Sequence, residues 1–321
     1  MKRIFLFIVL MRALAAILIT NAHYTGVYPT DMIANGGLLG NVIFFSVSGF
    51  CLANTTGSFP KWYLKRFIRI YTPAWIITLI YIVLGAYVIR SGLDVAKFFI
   101  WPTHWHFIAS IILLYIPLFF VSKYLEMNRK NYCILALVVL TLQLGLYFTV
   151  YDRSYYHIDT VVEPMIEFLF FQSMLLGLHY RWRCNNNEGE LRKPLGVSLI
   201  CVGGGLAIIY FASKLLFVNF TSLSPFQILN QVVLWALLYV LFQICMRLED
   251  RLKKIECSKV WACIKFVADR TLEIYLVQFV ILEHLKIGPF PFNWLLLTTT
   301  IILSATCLRW LSQRVIRRIN I

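Results

Sequence analysis

Residues 4–23 read IFLFIVLMRALAAILITNAH, an apolar run with a guanidinium near its middle and an imidazole at its end. As a helix this stretch has about the 17–25 residues a membrane crossing needs. Arg12 and His23 stand eleven residues apart, about three turns and roughly 16 Å, so their side chains share one face. An arginine near mid-membrane costs about 2.5–3.5 kcal/mol on insertion scales. The flanking run from Ala13 to Ile19 offsets part of that, at about −0.3 to −0.6 kcal/mol per large aliphatic residue. A polar face kept against such a cost points to a water-lined or ligand-lined cavity. The plainer alternative is an arginine that snorkels or pairs internally, beside an ordinary interfacial histidine.

The rest of the chain has the same character. Of 321 residues 60% are hydrophobic and 14% charged, with a mean hydropathy of +0.74. That is more apolar surface than one soluble core can hide, and it predicts an all-α, polytopic membrane protein. The net charge of +15 is spread between apolar runs instead of forming one patch, which argues against nucleic acid as a partner. The cysteines, at 51, 133, 184, 201, 245, 257, 263 and 307, form no C-x-x-C pair and read as small hydrophobes. Lys2 and Arg3 before the first run resemble a short signal peptide. Because the run resumes after Arg12, an uncleaved anchor is expected.

Apolar windows fall at about 4–22, 36–54, 70–89, 105–121, 131–150, 163–180, 195–212, 227–246, 267–285 and 293–311. Ten crossings in a single domain, 1–321, put both termini on one side. On that side lie Lys61, Lys65, Arg66 and Arg69, the basic clusters 123–130, 181–193 and 247–265, and both tails. The opposite side holds only Arg90, Lys97, Arg153, Lys214 and Lys286. The excess of basic residues marks the cytoplasmic side, so both termini are expected there. Ser58, with Pro60 in the first turn, should start a short interfacial helix through Ile68. The polar and aromatic stretch from Tyr151 to Pro164 is placed outside, where it could line an entrance.

Several constellations admit two readings. Gly36 to Asn41 leads into Val42 to Phe50, where small residues suit close helix packing and a buried Ser48 can bond across an interface. Arg66 and Arg69, three apart, could clamp phosphates or anchor an interfacial helix to anionic lipid. His104 and His106 flank Trp105, with no carboxylate near in sequence, so no metal is expected. Glu273 follows Arg270 by three residues, the spacing of an intrahelical ion pair, with proton relay as the second option.

Taken in order, these segments resemble the membrane-bound acyltransferase-3 family, the O-acyltransferases of bacterial cell-surface glycans. Met11-Arg12-Ala13-Leu14-Ala15-Ala16 with His23 is similar to its arginine-x10-histidine element. Phe44-Phe45 with Ser48-Gly49-Phe50 resembles FFxxSGF, and Arg66 to Pro73 resembles RxxRIxP. His106-Phe107-Ile108 with Tyr115 is similar to an aromatic WFL…Y stretch, and Ile274-Tyr275-Leu276-Val277-Gln278 to IYLxH. Two positions depart: Val42 stands where an acidic residue is common, and Gln278 where histidine is frequent.

The resemblance implies a bacterial inner-membrane enzyme taking an acyl group, most often acetyl, from cytoplasmic acyl-CoA. The acceptor would be a hydroxyl of a polysaccharide or lipid-linked glycan. By residue matching, Arg12, Arg66 and Arg69 engage the donor and His23 is the general base. Asn41, Ser48 and Glu273 are candidates for a substrate channel. From another class, a transporter or flippase would use the same intramembrane arginine to bind its cargo.

Overall fold

A computed structural model describes residues 5–101, 105–160, 163–187 and 189–319, the side chains of 190 and 192 excepted. Helices occupy nearly all of it. They are α1 (Leu6–Ala22), α2 (Gly37–Leu52), α3 (Phe59–Val83), α4 (Gly92–Val95), α5 (His106–Tyr124), α6 (Arg129–Thr149) and α7 (Pro164–Asn186). There follow α8 (Gly189–Arg192), α9 (Val197–Asn219), α10 (Ile228–Arg247), α11 (Glu249–Ile255), α12 (Lys259–Ala268), α13 (Thr271–His284) and α14 (Phe292–Arg318). No strand occurs among the described residues.

Each of the ten apolar windows holds one of these helices. Six are long and apolar enough to cross a bilayer: α3, α5, α6, α9, α10 and α14. The other four differ from the uniform spans the windows predict. The 17 residues of α1, 16 of α2 and 14 of α13 are short, the last reaching only about 21 Å against a core of about 30 Å. The 23-residue α7 mixes Glu167, Arg181 and Arg183 with its apolar residues. The separate interfacial helix expected after Ser58 is instead the first part of α3, one 25-residue helix that runs through Pro73. Pro60 sits in its first turn as the sequence requires, but the Ser58 side chain makes no cap.

The chain folds as two compact units. Unit 1 comprises residues 1–11, 41–55 and 117–264; unit 2 comprises 12–40, 56–116 and 265–321.

Unit 1 is built around α7, which buries Leu169, Phe170, Met174, Leu175, Leu176 and Tyr180. Glycines set its approach to α2: a Cβ at Gly49 would overlap the Met174 carbonyl oxygen, and one at Gly177 the Ser46 carbonyl oxygen. Phe45 stacks on Phe170 at 4.1 Å in the same crossing. The first turn of α1 has unspent N–H groups, and the buried Glu249 carboxylate of α11 accepts from Leu6 N (3.2 Å) and Phe7 N (2.9 Å). Three buried glutamines join α6, α7 and α10: Gln143 donates to Gln231 (2.6 Å) and accepts from Gln172 (3.2 Å). The loop after Tyr151 is folded onto Gln227, whose Oε1 accepts from His157 N and Ile158 N. Lys214 pairs with Asp159 at 2.6 Å in the same region.

Unit 2 begins with a close α1–α2 approach, where Gly37 lies against Ala22 and Gly40 against Ile19 and the Ala15 carbonyl. The backbone at Gly36, with φ +96°, is in the left-handed region that favours glycine. Tyr81 of α3 donates to the Val277 carbonyl of α13 at 3.0 Å. Tyr24, just past α1, shares a hydrogen bond of 2.7 Å with Thr298 of α14. Asn293 donates to the Val27 carbonyl at 3.3 Å.

Candidate active site

The site is built in unit 2 along one seam. Arg12 points at the break between α12 and α13, where its Nη1 lies 4.0 Å from Asp269 Oδ1. Asp269 is shared with Lys265, at 2.9 Å. Thr271 Oγ1, at the start of α13, is 3.5 Å from the Arg12 carbonyl. His23 falls one residue past the end of α1, its N–H bonded to the Thr20 carbonyl at 3.0 Å. Its ring meets Phe279 edge-on, centroids 4.5 Å apart. Eleven residues separate Arg12 from His23, and ten separate Asp269 from Phe279. The matched steps show that both side chains face the same partner run, as their spacing predicts.

The two ends of this seam differ in chemistry. At the Arg12 end charges gather. Glu273 is buried and meets Arg309 of α14 at 3.8 Å; Arg12 and Arg69 also act on it electrostatically. The intrahelical pair expected of Arg270 and Glu273 does not form: Glu273 reaches across to α14 instead. Arg270 stands at the N-cap of α13, donating to Thr306 Oγ1 and to the Phe266 carbonyl, each at 3.0 Å. At the other end the imidazole meets the Phe279 ring, and burial pushes His23 down from 6.5 to about 4. The imidazole is therefore neutral at ordinary pH.

Arg66 and Arg69 lie on α3. The Arg66 guanidinium sits 5.3 Å from the Trp62 ring centroid, and Arg69 is exposed. The electrostatic reach of Arg69 to Glu273 draws it to the Arg12 end. Pro73 lacks the N–H that would bond the Arg69 carbonyl four residues back. Asn41 and Ser48 belong to unit 1, in α2. Asn41 is buried and its Oδ1 has no hydrogen-bond partner, and Ser48 is half-buried. His104 lies outside the described residues. Among the described residues no three His, Cys, Asp or Glu side chains gather as a metal would require.

Sequence reasoning missed Asp269 and Arg309. Asp269 lies at the edge of an apolar window and Arg309 near the end of another, so each reads as a flanking charge. Their proximity to Arg12 and Glu273 depends on the packing of unit 2.

A chain with six helices long and apolar enough to cross a bilayer is read as a multi-pass membrane protein. The acyltransferase domain model of the acyltransferase-3 family matches residues 5–313. The chain belongs to this family and is a membrane acyltransferase. No curated protein and no solved structure matches it.

Proposed function

We propose that the protein is an O-acyltransferase that moves an acyl group, in the first instance acetyl, from cytoplasmic acyl-CoA to a hydroxyl of a surface polysaccharide or lipid-linked glycan. Its setting is the bacterial inner membrane, with ten crossings. One observation carries this reading beyond the family: one seam offers cationic groups at one end and a neutral imidazole at the other. Arg12, with Arg66 and Arg69, suits an anionic donor. His23 suits a general base.

In this mechanism His23 removes the proton of the acceptor hydroxyl as its oxygen attacks the thioester carbonyl carbon. The new C–O bond forms and the C–S bond breaks, leaving the CoA thiolate. The proton held by the imidazole passes to that sulfur, so ester and free thiol are the products. Glu273, within unit 2, is assigned to the path substrates follow.

The test is mass spectrometry of surface glycans from cells with and without the gene, which reads acyl mass and sugar together. Glycans of identical mass in both would remove the reading. His23→Ala should abolish the ester while the protein still accumulates in the membrane. Retained acylation in that variant would remove the histidine mechanism alone. Arg66→Ala or Arg69→Ala should weaken acyl-CoA binding in detergent; unchanged affinity in both returns them to lipid anchoring.

A further inference from the structure

Gln278 is fully buried in α13, and neither its Nε2 nor its Oε1 has a hydrogen-bond partner. Its chain neighbours define its place. Val277 carries the carbonyl that accepts from Tyr81, and Phe279 carries the ring that meets His23. Two further hydroxyls in unit 2 are buried without a partner: Thr20 Oγ1, one turn before His23, and Thr78 Oγ1, one turn before Tyr81. Buried amides are nearly always paired, because an unpaired polar group carries its full desolvation penalty. A side chain unpaired at both ends, one residue before the ring that meets His23, is the mark of a binding group.

We propose that Gln278 positions the acyl-pantetheine arm of the donor, donating from Nε2 to a carbonyl of the arm and accepting at Oε1 from an arm N–H. This rests on the acyl-CoA reading above. The chemistry favours an amide chain over a sugar. A sugar brings hydroxyls around its whole ring, whereas Gln278 lies among the buried Leu276, Val277 and Leu282. A mostly aliphatic arm with isolated amides matches an isolated, unpaired amide in an otherwise apolar stretch of α13. Gln278 is a positioning residue; the bond-making atoms belong to His23, donor and acceptor.

The experiment titrates the full-length protein with S-ethyl-CoA, a non-reactive thioether, and with the same nucleotide carrying an all-methylene arm. Gln278→Leu should weaken S-ethyl-CoA binding by about tenfold and leave the methylene analogue unchanged. Gln278→His, which restores one donor and one acceptor, should recover part of the affinity. Thermal unfolding of Gln278→Leu should come at the same or a higher temperature, since the substitution removes an unpaired buried amide. Equal loss with both ligands, no loss with either, or a lower unfolding temperature would each overturn the assignment. Tight S-ethyl-CoA binding by a wild type that transfers no acyl group from acetyl-CoA to glycan would overturn the enzymatic reading and leave the Gln278 test standing. A wild type that binds neither ligand would end both.

Discussion

In the proposed mechanism His23 and Arg12 solve opposite electrostatic problems, Arg12 within α1 and His23 one residue past its end. A base must be unprotonated when the hydroxyl arrives, and burial of the imidazole without a carboxylate partner lowers its pKa from 6.5 to about 4. The sign is then fixed: the working, neutral form dominates above that value and is lost as pH falls through it. Acyl transfer, followed as free thiol released per minute, should stay level for this group from about pH 8 to pH 5 and fall below. A fall centred near 6.5 would show that the imidazole is solvated and that the base lies elsewhere. Arg12 faces the contrary demand of holding a charge that a passing anion can still find. Asp269 sits 4.0 Å away with both side chains about one-third exposed (31% each), and a solvated pair of this kind is worth only about 0–1 kcal/mol. In the proposed mechanism Asp269 therefore competes weakly with the donor for the guanidinium. Asp269→Asn should tighten acyl-CoA binding by up to about fivefold at low salt, the gain shrinking as salt is added. Weaker binding in that variant would mean that Asp269 holds Arg12 in place instead of competing for its charge.

Among the helices, those set by local pattern were legible and those set by distant partners were not. Apolar periodicity located all ten windows because each reflects its own residues. The start of α1 is different: its cap is Glu249, more than 240 positions away, and nothing near Leu6 announces it. The carboxylate accepts two of the N–H groups that every helix start leaves unspent and lies at the positive end of the helix dipole. Glu249→Ala should lower stability by about 1–3 kcal/mol, seen as an earlier thermal transition in detergent. An unchanged transition would mean water serves those groups equally well. The Arg12–His23 register was readable for the same reason as the windows, since helical spacing alone fixes it. Asp269, Arg309 and the unpaired state of Gln278 were hidden, because each depends on how α13 meets α1, α3 and α14. The α2–α7 crossing lies between these cases. Gly49 is conspicuous beside Ser48, yet only the packed structure shows that it faces Met174 and that Gly177 answers it from α7. Gly49→Ala or Gly177→Ala puts a methyl against a backbone carbonyl that cannot rotate away. Either should sharply reduce the yield of folded protein at about 1–3 kcal/mol or more; normal yield and melting would mean the two helices separate without cost.

At the scale of the molecule, helix direction bears on the number of crossings. Within unit 2, Arg12 meets Asp269 and His23 meets Phe279, so α1 and α13 run parallel. Tyr81 meets Val277, while Arg69, earlier in α3, acts electrostatically on Glu273, so α3 runs with them. The start of α14 meets the end of α1, through Asn293 and Thr298, so α14 opposes them. Within unit 1, α6 opposes α10, as Gln143 with Gln231 and Tyr147 with Pro225 require. Asn230 bonding the Tyr210 carbonyl, with Gly203 facing Val240 and Ile244, sets α9 against α10 as well. These senses are the ones that crossings one, three and nine against ten, and five and seven against eight, must have. They support the ten-span reading and an even number of passages. The proposed orientation rests on charge: the segment 247–265 carries six Lys and Arg residues, whereas the 151–160 loop carries Arg153 alone. Cys257, exposed between α11 and α12, should react with a membrane-impermeant maleimide only after permeabilisation. A cysteine introduced by Arg153→Cys should react in intact cells. The reverse pattern would invert the molecule and place the Arg12 end of the seam on the wrong side for a cytoplasmic thioester. Labelling of both from outside would break the alternation on which two-sided access to the seam depends.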